Sequence, residues 1–338
     1  MSQSEDLIVA LEQFYLKFPD FLDNDLYISG ESYAGNYVPY LAWQVYQHNL
    51  VADYDDSKTS YNLKGYMVGN GITNYTVDVW PAFVDTVYNL HLIPKSLYDD
   101  FKANDCYFSF RGAAGETHSL ICDELYVKIR TLTNGLNWYD LYGHVYADSA
   151  IAAGTLQEEN RLGEAMINGE LKTYKRGYTF EEYTPWLKDL PGKRILLGDY
   201  TSDYANYNDV REALHIPETM PAWEACSSTL QYYPQPEASI WIYKVLQNKY
   251  KIMFYSGDTD GALPTAGTRQ WIKGLNWDKT EEWKPWLVDG QVAGYIEKYD
   301  GLDFVTVHGT GHMAPQWKRK EVTSMITAWI HDEPIESF

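Results

Sequence analysis

The spacing of apolar positions predicts a regular order of elements in the N-terminal part of the chain. Apolar side chains recur at helical spacing up to Phe18, and Pro19 follows as a stop signal, which is typical of an amphipathic helix. Short apolar runs that end in glycine are typical of buried strands. The predicted elements are a helix over 4–18, a strand over 26–28, a helix over 34–49 and a strand over 66–68.

The pattern is irregular and polar from about residue 74 to residue 199, and apolar runs then resume. The predicted elements of this last part are helices over 209–215 and 238–247, a strand over 251–255, a helix over 265–272, a strand over 303–307 and a helix over 321–330. Strands that alternate with helices predict an α/β fold, with a mostly parallel sheet covered by helices on both faces. We therefore predict a core in two parts, 1–74 and 200–338, and an irregular or helical insertion over 75–199 that forms a cap.

Composition argues against two classes of partner. The chain has 338 residues, a formal net charge of −20 and no Lys/Arg-rich block that could neutralise phosphates. No apolar run approaches the roughly 20 residues of a membrane-spanning helix, and Met1 is followed by the polar residues 2–6 without an apolar segment of the signal-peptide type. We predict no nucleic-acid partner and no membrane partner, and the oligomeric state is not predicted.

The 3 cysteines, Cys106, Cys122 and Cys226, are too few for a disulfide scaffold and lack the paired spacing of a structural zinc site. No metal and no cofactor is predicted. In an oxidising compartment the odd number would leave one thiol without an intramolecular partner, whereas a cytosolic chain could keep all of them reduced.

A serine lies in a turn of small residues between a predicted strand and a predicted helix, Gly30-Glu31-Ser32-Tyr33-Ala34-Gly35. A nucleophile elbow needs this arrangement, because the turn is too tight for large side chains on either side of the serine. The turn lifts the hydroxyl to the helix N-terminus, where the backbone N–H of the next residue can stabilise an oxyanion. Ala34 replaces the second glycine of the common G-x-S-x-G form, so a plain strand-to-helix turn is the alternative interpretation.

Two other strand ends carry an acid or a histidine, in the stretches Gly257-Asp258-Thr259-Asp260 and Gly309-Thr310-Gly311-His312. The loops at the carboxyl ends of strands in an open α/β sheet converge on one crevice, and the chain order Ser, Asp, His is that of α/β hydrolases. Each residue alone would more commonly be structural. Together they favour a Ser–His–Asp triad, and at this point either acid could be its carboxylate.

These motifs resemble the serine carboxypeptidase family, of the cathepsin A and carboxypeptidase Y type. The stretches that carry the resemblance are residues 30–42, 69–71, 210–215, 257–260 and 311–315. They run from the first predicted helix to the last, so the resemblance covers the whole chain. It implies an α/β-hydrolase fold and a serine-type carboxypeptidase, a hydrolase that releases C-terminal residues from peptides or proteins.

The resemblance assigns catalytic roles residue by residue. Ser32 would attack the peptide carbonyl, and His312 would take its proton and pass it to the leaving amine. Asp260 would hold the imidazole in the working tautomer, which leaves Asp258 as a structural acid. Tyr33 would contribute its backbone N–H to the oxyanion hole.

The resemblance also implies two substrate-binding residues. Glu31 would help to bind the terminal carboxylate of the peptide together with a second acid, and two acids can share one site only if a proton lies between them. The pKa of such a pair is raised, so binding would favour acidic pH. Met313 would line the pocket of the departing residue with its flexible thioether, and plain packing is the alternative for this side chain.

Covalent modifications and location are implied in the same way. Family members commonly carry a local disulfide in the insertion, which implies a bridge between Cys106 and Cys122 and leaves Cys226 unpaired. Asn74 begins the only N-x-S/T sequon of the chain, so N-glycosylation at Asn74 is expected on a secretory route. The resemblance implies a lysosomal, vacuolar or secreted glycoprotein.

One departure from the family pattern lowers the expected activity. Family members carry, well before the serine, an Asn-Gly-Gly-Pro-Gly-Cys segment, which this sequence does not contain. That segment supplies the second oxyanion N–H, a carboxylate-binding Asn and the acidic partner of Glu31. We therefore expect a fragment or a truncated protein with weak or no activity. The alternatives are an acyltransferase of the same fold and a catalytically silent binding protein, and the preferred C-terminal residue is not predicted.

Overall fold

The computed structural model describes residues 2–55, 58–106, 119–143, 162–167, 170–175, 200–224, 235 and 237–335. The chain forms two compact units, one of Met1–Gly143 with Gln235–Phe338 and the other of His144–Pro234. The division between core and insertion at 74/75 and 199/200 stays a prediction, since the second unit is described only in part.

The helices and strands follow the order expected from the apolar runs. The first unit begins with α1 (Ser2–Lys17), β1 (Leu26–Glu31), α2 (Ala34–Ala52), β2 (Leu63–Gly69), α3 (Trp80–Asn89), α4 (Lys95–Ala103) and α5 (Leu120–Leu132). The second unit contains a hairpin of β3 (Leu162–Ile167) and β4 (Glu170–Lys175), and the short helices α6 (Tyr200–Ala205) and α7 (Asn208–Ala213). The first unit resumes with α8 (Ile240–Leu246), β5 (Lys251–Gly257), α9 (Thr265–Leu275), β6 (Lys279–Val288), β7 (Gln291–Tyr299), β8 (Leu302–Val307), α10 (Ala314–Trp317) and α11 (Arg319–Ile330). All the predicted helices and strands are confirmed, with small differences at their ends.

The sheet of the first unit is mostly parallel, as predicted. Its strands lie in the order β1-β2-β5-β8-β7-β6, and β1, β2, β5 and β8 run parallel to one another. The last two strands, β7 and β6, are antiparallel. Because the four parallel strands are neighbours, their carboxyl ends lie side by side at one edge of the sheet.

Helices cover both faces of this sheet. Alternate residues of the central strands point to opposite faces, since successive side chains of a strand do so. On one face Tyr66 and Phe254 belong to a cluster with residues of α2, α8 and α9, and on the other Met67 and Met253 belong to a cluster with residues of α11. Both faces of the sheet are therefore shielded from solvent, as is usual for parallel strands.

A third apolar cluster is formed by α3, α4 and α5, within the stretch predicted as an insertion. Cys106 and Cys122 join the end of α4 to the start of α5 through a disulfide, with their Cα atoms 5.3 Å apart. Trp138, just after α5, packs against this cluster, and its ring stacks on Phe83 at 4.5 Å between centroids. Cys226 lies outside the described residues.

The hairpin of β6 and β7 is not predicted by the apolar pattern. Pro285 and several charged residues interrupt the alternation in β6, and its register with β7 is irregular. Asp289 and Gly290 form the turn with φ of 52° and 71°, which is the left-handed backbone that a two-residue hairpin turn needs. The Asp-Gly pair was the available signal for this hairpin.

Candidate active site

The Ser32 turn has the geometry of a nucleophile elbow. Ser32 lies between β1 and α2 with φ of 65°, in the left-handed region that residues other than glycine rarely adopt. A Cβ on Gly30 would come within 2.4 Å of the Ala34 Cβ, and a Cβ on Gly35 within 2.2 Å of the Ile72 carbonyl oxygen. These close contacts therefore exclude any larger residue at position 30 and at position 35.

Backbone hydrogen bonds hold this strained turn against the next strand. The Ser32 N–H donates to the Gly69 carbonyl at 3.0 Å, and the Ile72 N–H donates to the Ser32 carbonyl at 3.0 Å. Tyr33 is the N-cap residue of α2, so its backbone lies at the positive end of the helix dipole. An anion beside the Ser32 hydroxyl would be favoured at this position.

Asp260 lies in the loop after β5 and is buried, and its carboxylate is satisfied by four polar contacts. Oδ1 accepts the Ala262 N–H at 2.7 Å and the Leu263 N–H at 3.2 Å. Oδ2 accepts from the Asn70 amide at 2.8 Å and lies 2.7 Å from Nδ1 of His312. These partners use the full acceptor capacity of a carboxylate.

His312 lies in the loop after β8 and is only 3% exposed. Because Nδ1 faces the Asp260 carboxylate, it carries the hydrogen and Nε2 remains the acceptor. The His312 N–H donates to the Tyr139 carbonyl at 2.6 Å, which anchors the loop. The described residues contain no hydrogen bond from the Ser32 hydroxyl to this imidazole. Of the series predicted from Ser32 through His312 to Asp260, the structure therefore contains the second link.

Asp258 faces a different histidine. Its carboxylate lies 2.7 Å from Nδ1 of His308 and accepts the Gly309 N–H at 2.8 Å. This pair is partly exposed, in contrast to the buried pair of Asp260 and His312. The structure thus brings only Asp260 to His312, and Asp258 connects the loops that follow β5 and β8.

Glu31 and Met313 flank this site. Burial raises the pKa of Glu31 above its ordinary value, while nearby His312 opposes the rise and Asp260 adds to it. Burial, followed by the charge of Glu31, also raises the pKa of Tyr255. Met313 directly follows His312 and is half-buried before α10.

Two parts of the site have no assigned role in the sequence patterns. The first is Asn70, which the motif Gly69-Asn70-Gly71 includes without explaining. The second is the segment 138–141, which lies within the predicted insertion but contacts both catalytic loops. Its backbone pairs with Thr259 and Gly261, and Asp140 accepts the Thr259 hydroxyl at 2.7 Å. No periodic pattern marks contacts of this kind.

The Tyr139 side chain is the exposed part of that segment. Its ring centroid lies 5.1 Å from the His312 ring, and 52% of the residue is exposed. Gly311 leaves room for this contact, because a Cβ there would lie 1.9 Å from the Tyr139 carbonyl oxygen. The aromatic surface of Tyr139 therefore forms one wall beside the imidazole.

Two residues of the sequon, Asn74 and Thr76, are joined by hydrogen bonds. Asn74 is half-buried, and its Oδ1 accepts the N–H of Thr76 at 3.0 Å and the hydroxyl of Thr76 at 2.7 Å.

Among the described residues, no helix is long and apolar enough to cross a membrane. The same residues contain no group of three or more His, Cys, Asp or Glu side chains that could hold a metal ion.

Comparisons with known proteins agree with this geometry. The profile of the family described as "Serine carboxypeptidase" matches residues 1–332. "Serine carboxypeptidase-like 20" of Arabidopsis thaliana is 29% identical, with 96% of this chain and 67% of the relative covered. "Serine carboxypeptidase 1" of Hordeum vulgare is also 29% identical, with 98% and 68% covered. "Serine carboxypeptidase-like 26" of Oryza sativa subsp. japonica is 31% identical, with 98% and 65% covered.

A solved structure shows the same fold. The crystal structure of Kex1(delta)p, a prohormone-processing carboxypeptidase from Saccharomyces cerevisiae, matches with a TM-score of 0.60 and 19% identity. The match covers 97% of this chain and 66% of that chain. The chain therefore spans about two thirds of the length of the proteins that it matches.

Proposed function

Because the chain belongs to the serine carboxypeptidase family, we propose that it releases C-terminal residues from peptides through an acyl-enzyme on Ser32. The single observation that carries the proposal is the buried pair of Asp260 and His312, which interacts electrostatically with Glu31, the residue before the strained Ser32. Such a pair gives an imidazole whose Nε2 can accept a proton. The substrates are the C-termini of peptides or proteins.

The reaction follows from the roles of these side chains. Ser32 Oγ attacks the peptide carbonyl carbon while its proton moves to Nε2 of His312, and the imidazolium donates that proton to the departing amine. Water then attacks the carbonyl carbon of the acyl ester while one of its protons moves to Nε2 of His312, and His312 passes this proton to Ser32 Oγ as the ester C–O bond breaks. Asp260 keeps Nδ1 protonated and stabilises the imidazolium. A missing hydrogen bond at Ser32 is compatible with this role, since catalytic hydrogen bonds commonly tighten only when substrate binds.

Tyr33 has a feature that suits an oxyanion, and Glu31 has one that suits the terminal carboxylate of a peptide. The Tyr33 N–H at the start of α2 would donate to the oxyanion, which is favoured by the helix dipole. The raised pKa of Glu31 keeps its carboxyl protonated to higher pH than usual, and a protonated carboxyl can donate to the substrate carboxylate. Binding should weaken as the pH rises and Glu31 ionises. Met313 would contact the departing residue.

We expect slow turnover by the 338 residues themselves. These 338 residues do not include the Asn-Gly-Gly-Pro-Gly-Cys segment to which the family resemblance assigns the second oxyanion donor. Loss of one such donor costs about 10²–10³ in turnover. A longer version that carries such a segment should be faster by about this factor on the same blocked dipeptide. Equal turnover by both versions would contradict this expectation.

The proposed location is an oxidising compartment on the secretory route, namely a lysosome, a vacuole or the cell exterior. The disulfide between Cys106 and Cys122 supports it, because disulfides persist in such compartments. Glycosylation of Asn74 is proposed on the same basis. Treatment of the protein from its native source with an N-glycosidase should lower its mass, and an Asn74→Gln variant should show no change. An unchanged mass in the unaltered protein would contradict the modification.

The test of the reaction uses a blocked dipeptide and an activated acyl ester at about pH 5 and pH 7. We expect release of the C-terminal amino acid, stoichiometric labelling by a fluorophosphonate, and loss of both in Ser32→Ala. Ser29→Ala, an exposed serine on the same strand, is the matched control and should behave like the unaltered chain. Transfer of the acyl group to an alcohol with no peptide hydrolysis would show an acyltransferase instead. Absence of labelling would show a catalytically silent protein.

A further inference from the structure

Asn70 is a buried residue at the carboxyl end of β2. This strand lies between β1, which leads to Ser32, and β5, which leads to Asp260. Asn70 is 0% exposed and has φ of 40°, a left-handed conformation that asparagine tolerates better than most residues. Its N–H donates to the Tyr255 carbonyl at 2.9 Å, one residue beyond the paired ends of β2 and β5. The backbone of Asn70 is thus fixed by the central strands of the sheet.

Both ends of the Asn70 side chain have partners after β5. Oδ1 accepts the Gly257 N–H at 2.9 Å, and Nδ2 donates to Oδ2 of Asp260 at 2.8 Å. Longer contacts of 3.5 Å join Nδ2 to the Ser256 hydroxyl and to the Gly257 carbonyl. The chemistry of these partners fixes the amide orientation, since an N–H needs an acceptor and a carboxylate needs a donor.

The segment that carries Asn70 also supports the nucleophile. The Gly69 carbonyl accepts the Ser32 N–H, and the Ile72 N–H donates to the Ser32 carbonyl, each at 3.0 Å. The four residues 69–72, from the end of β2, therefore bond to the serine on one side and to the acid on the other. A shift of this segment would move both groups.

We infer that Asn70 is a positioning residue of the active site, which holds Oδ2 of Asp260 towards Nδ1 of His312. The inference rests on the proposed function of the triad. Oδ1 of Asp260 is already held by the loop that carries it, through the Ala262 and Leu263 N–H groups. Apart from His312 itself, the Asn70 amide is the donor to Asp260 that the described residues supply from outside that loop, so it sets where Oδ2 lies relative to the imidazole.

Substitution by aspartate separates this role from plain packing. Asn70→Asp keeps the shape and the acceptor for the Gly257 N–H, but it places a second carboxyl against Asp260. Two carboxyl groups so close hold one proton between them, with a raised pKa for its loss. When the pH falls below that pKa, the protonated carboxyl at position 70 can donate as the amide did. Asn70→Ala removes the donor at every pH.

The matched control is Asn62→Asp. Asn62 also donates to a carboxylate, that of Asp25 at 2.9 Å, but it is half-buried and precedes β2 at the opposite end of the strand. The same exchange of amide for acid there adds the same charge without touching the triad. Thermal unfolding of all variants verifies that each is folded.

The first measurement is the rate of labelling of Ser32 by a fluorophosphonate between about pH 5 and pH 8. We expect Asn70→Ala to be slower by about tenfold to a hundredfold at every pH, the range for loss of one hydrogen bond to a charged group. The ratio of the Asn70→Asp rate to the unaltered rate should rise as the pH falls, and the Asn62→Asp ratio should stay flat. An Asn70→Asp ratio that is flat, or that matches Asn62→Asp, would overturn the inference.

A second measurement does not depend on catalysis. The Nδ1 proton of His312 in its hydrogen bond to Asp260 gives a downfield proton NMR signal, assigned by its absence in His312→Ala. Asn70→Asp should move or broaden this signal, and Asn62→Asp should leave it in place. If the signal moves while the unaltered chain takes no label, the positioning role stands and the proposed function fails. If the signal stays in place in Asn70→Asp, the positioning role fails whatever the activity.

Discussion

Asp78 is the side chain whose ionisation should influence stability most clearly. It is 2% exposed, and one of its oxygens accepts the N–H groups of Thr73 and Asn74, each at 2.7 Å. Burial raises the pKa of Asp78 from 3.8 to about 7, against the opposing effect of these two hydrogen bonds. Tyr243 on α8 is close enough for the charge of Asp78 to act on it, and burial raises the pKa of Tyr243 as well, so Tyr243 stays neutral in this range.

The direction and size of the effect follow from proton linkage. Between about pH 4 and pH 7 the folded chain holds a proton on Asp78 that the unfolded chain has lost, so stability falls as the pH rises. Each pH unit costs about 1.4 kcal/mol, which gives about 4 kcal/mol over the whole window. Below about pH 4 the contribution is fully present, and above about pH 7 no further loss occurs.

The substitution Asp78→Asn replaces the acid by an amide that resembles its protonated form and cannot ionise. We expect urea unfolding to give similar free energies for both proteins at pH 4, and a variant more stable by up to about 4 kcal/mol at pH 8. Asp23→Asn, at an exposed position, measures the effect of removing one surface charge from a chain of net charge −20. A difference between Asp78→Asn and the unaltered chain that stays constant from pH 4 to pH 8 would refute the reasoning.

Three further changes test other parts of the structure. Gly35→Ala should destabilise the chain by about 1–3 kcal/mol in urea unfolding, because the new Cβ would lie 2.2 Å from backbone. Gly274→Ala is the control and should be neutral or slightly stabilising, since a Cβ there has nothing within 4 Å. Equal effects of the two substitutions would contradict the steric role of Gly35. Asp260→Asn should slow fluorophosphonate labelling by about 10⁴ through the wrong imidazole tautomer, while Asp258→Asn should retain most of the rate. The reverse result would show that Asp258, and not Asp260, is the acid of the triad. Cys106→Ser should lower the free energy of unfolding by about 3 kcal/mol, because the disulfide closes a loop of this size in the unfolded chain. A reducing agent should lower the free energy of unfolding of the unaltered chain as well. If the loss in Cys106→Ser is no larger than that, the effect comes from the disulfide.

Local chemistry was sufficient to predict the elements and the nucleophile. The strands that end before Ser32, Asp258 and His308 are short apolar runs, and such runs predict strands whatever lies beside them. Small residues around Ser32 predict a tight turn, and the limit on Gly30 is local because it comes from Ala34, whereas the limit on Gly35 comes from Ile72 in a distant segment. The left-handed φ of Ser32 is the local strain that this motif implies.

Pairing between distant residues depended on the tertiary structure. Asp258 and Asp260 are two residues apart in similar surroundings, and only the packing of the loops after β5 and β8 decides which of them meets His312. Asn70 and Tyr139 reach the site from segments far away in the chain, as donor and as backbone anchor. Apolar periodicity states which face of an element is buried, but it does not state which strand becomes its neighbour. The sequence alone therefore determined which residues could do the chemistry, and the order of the strands decided which of them meet, because that order brings their carboxyl ends together.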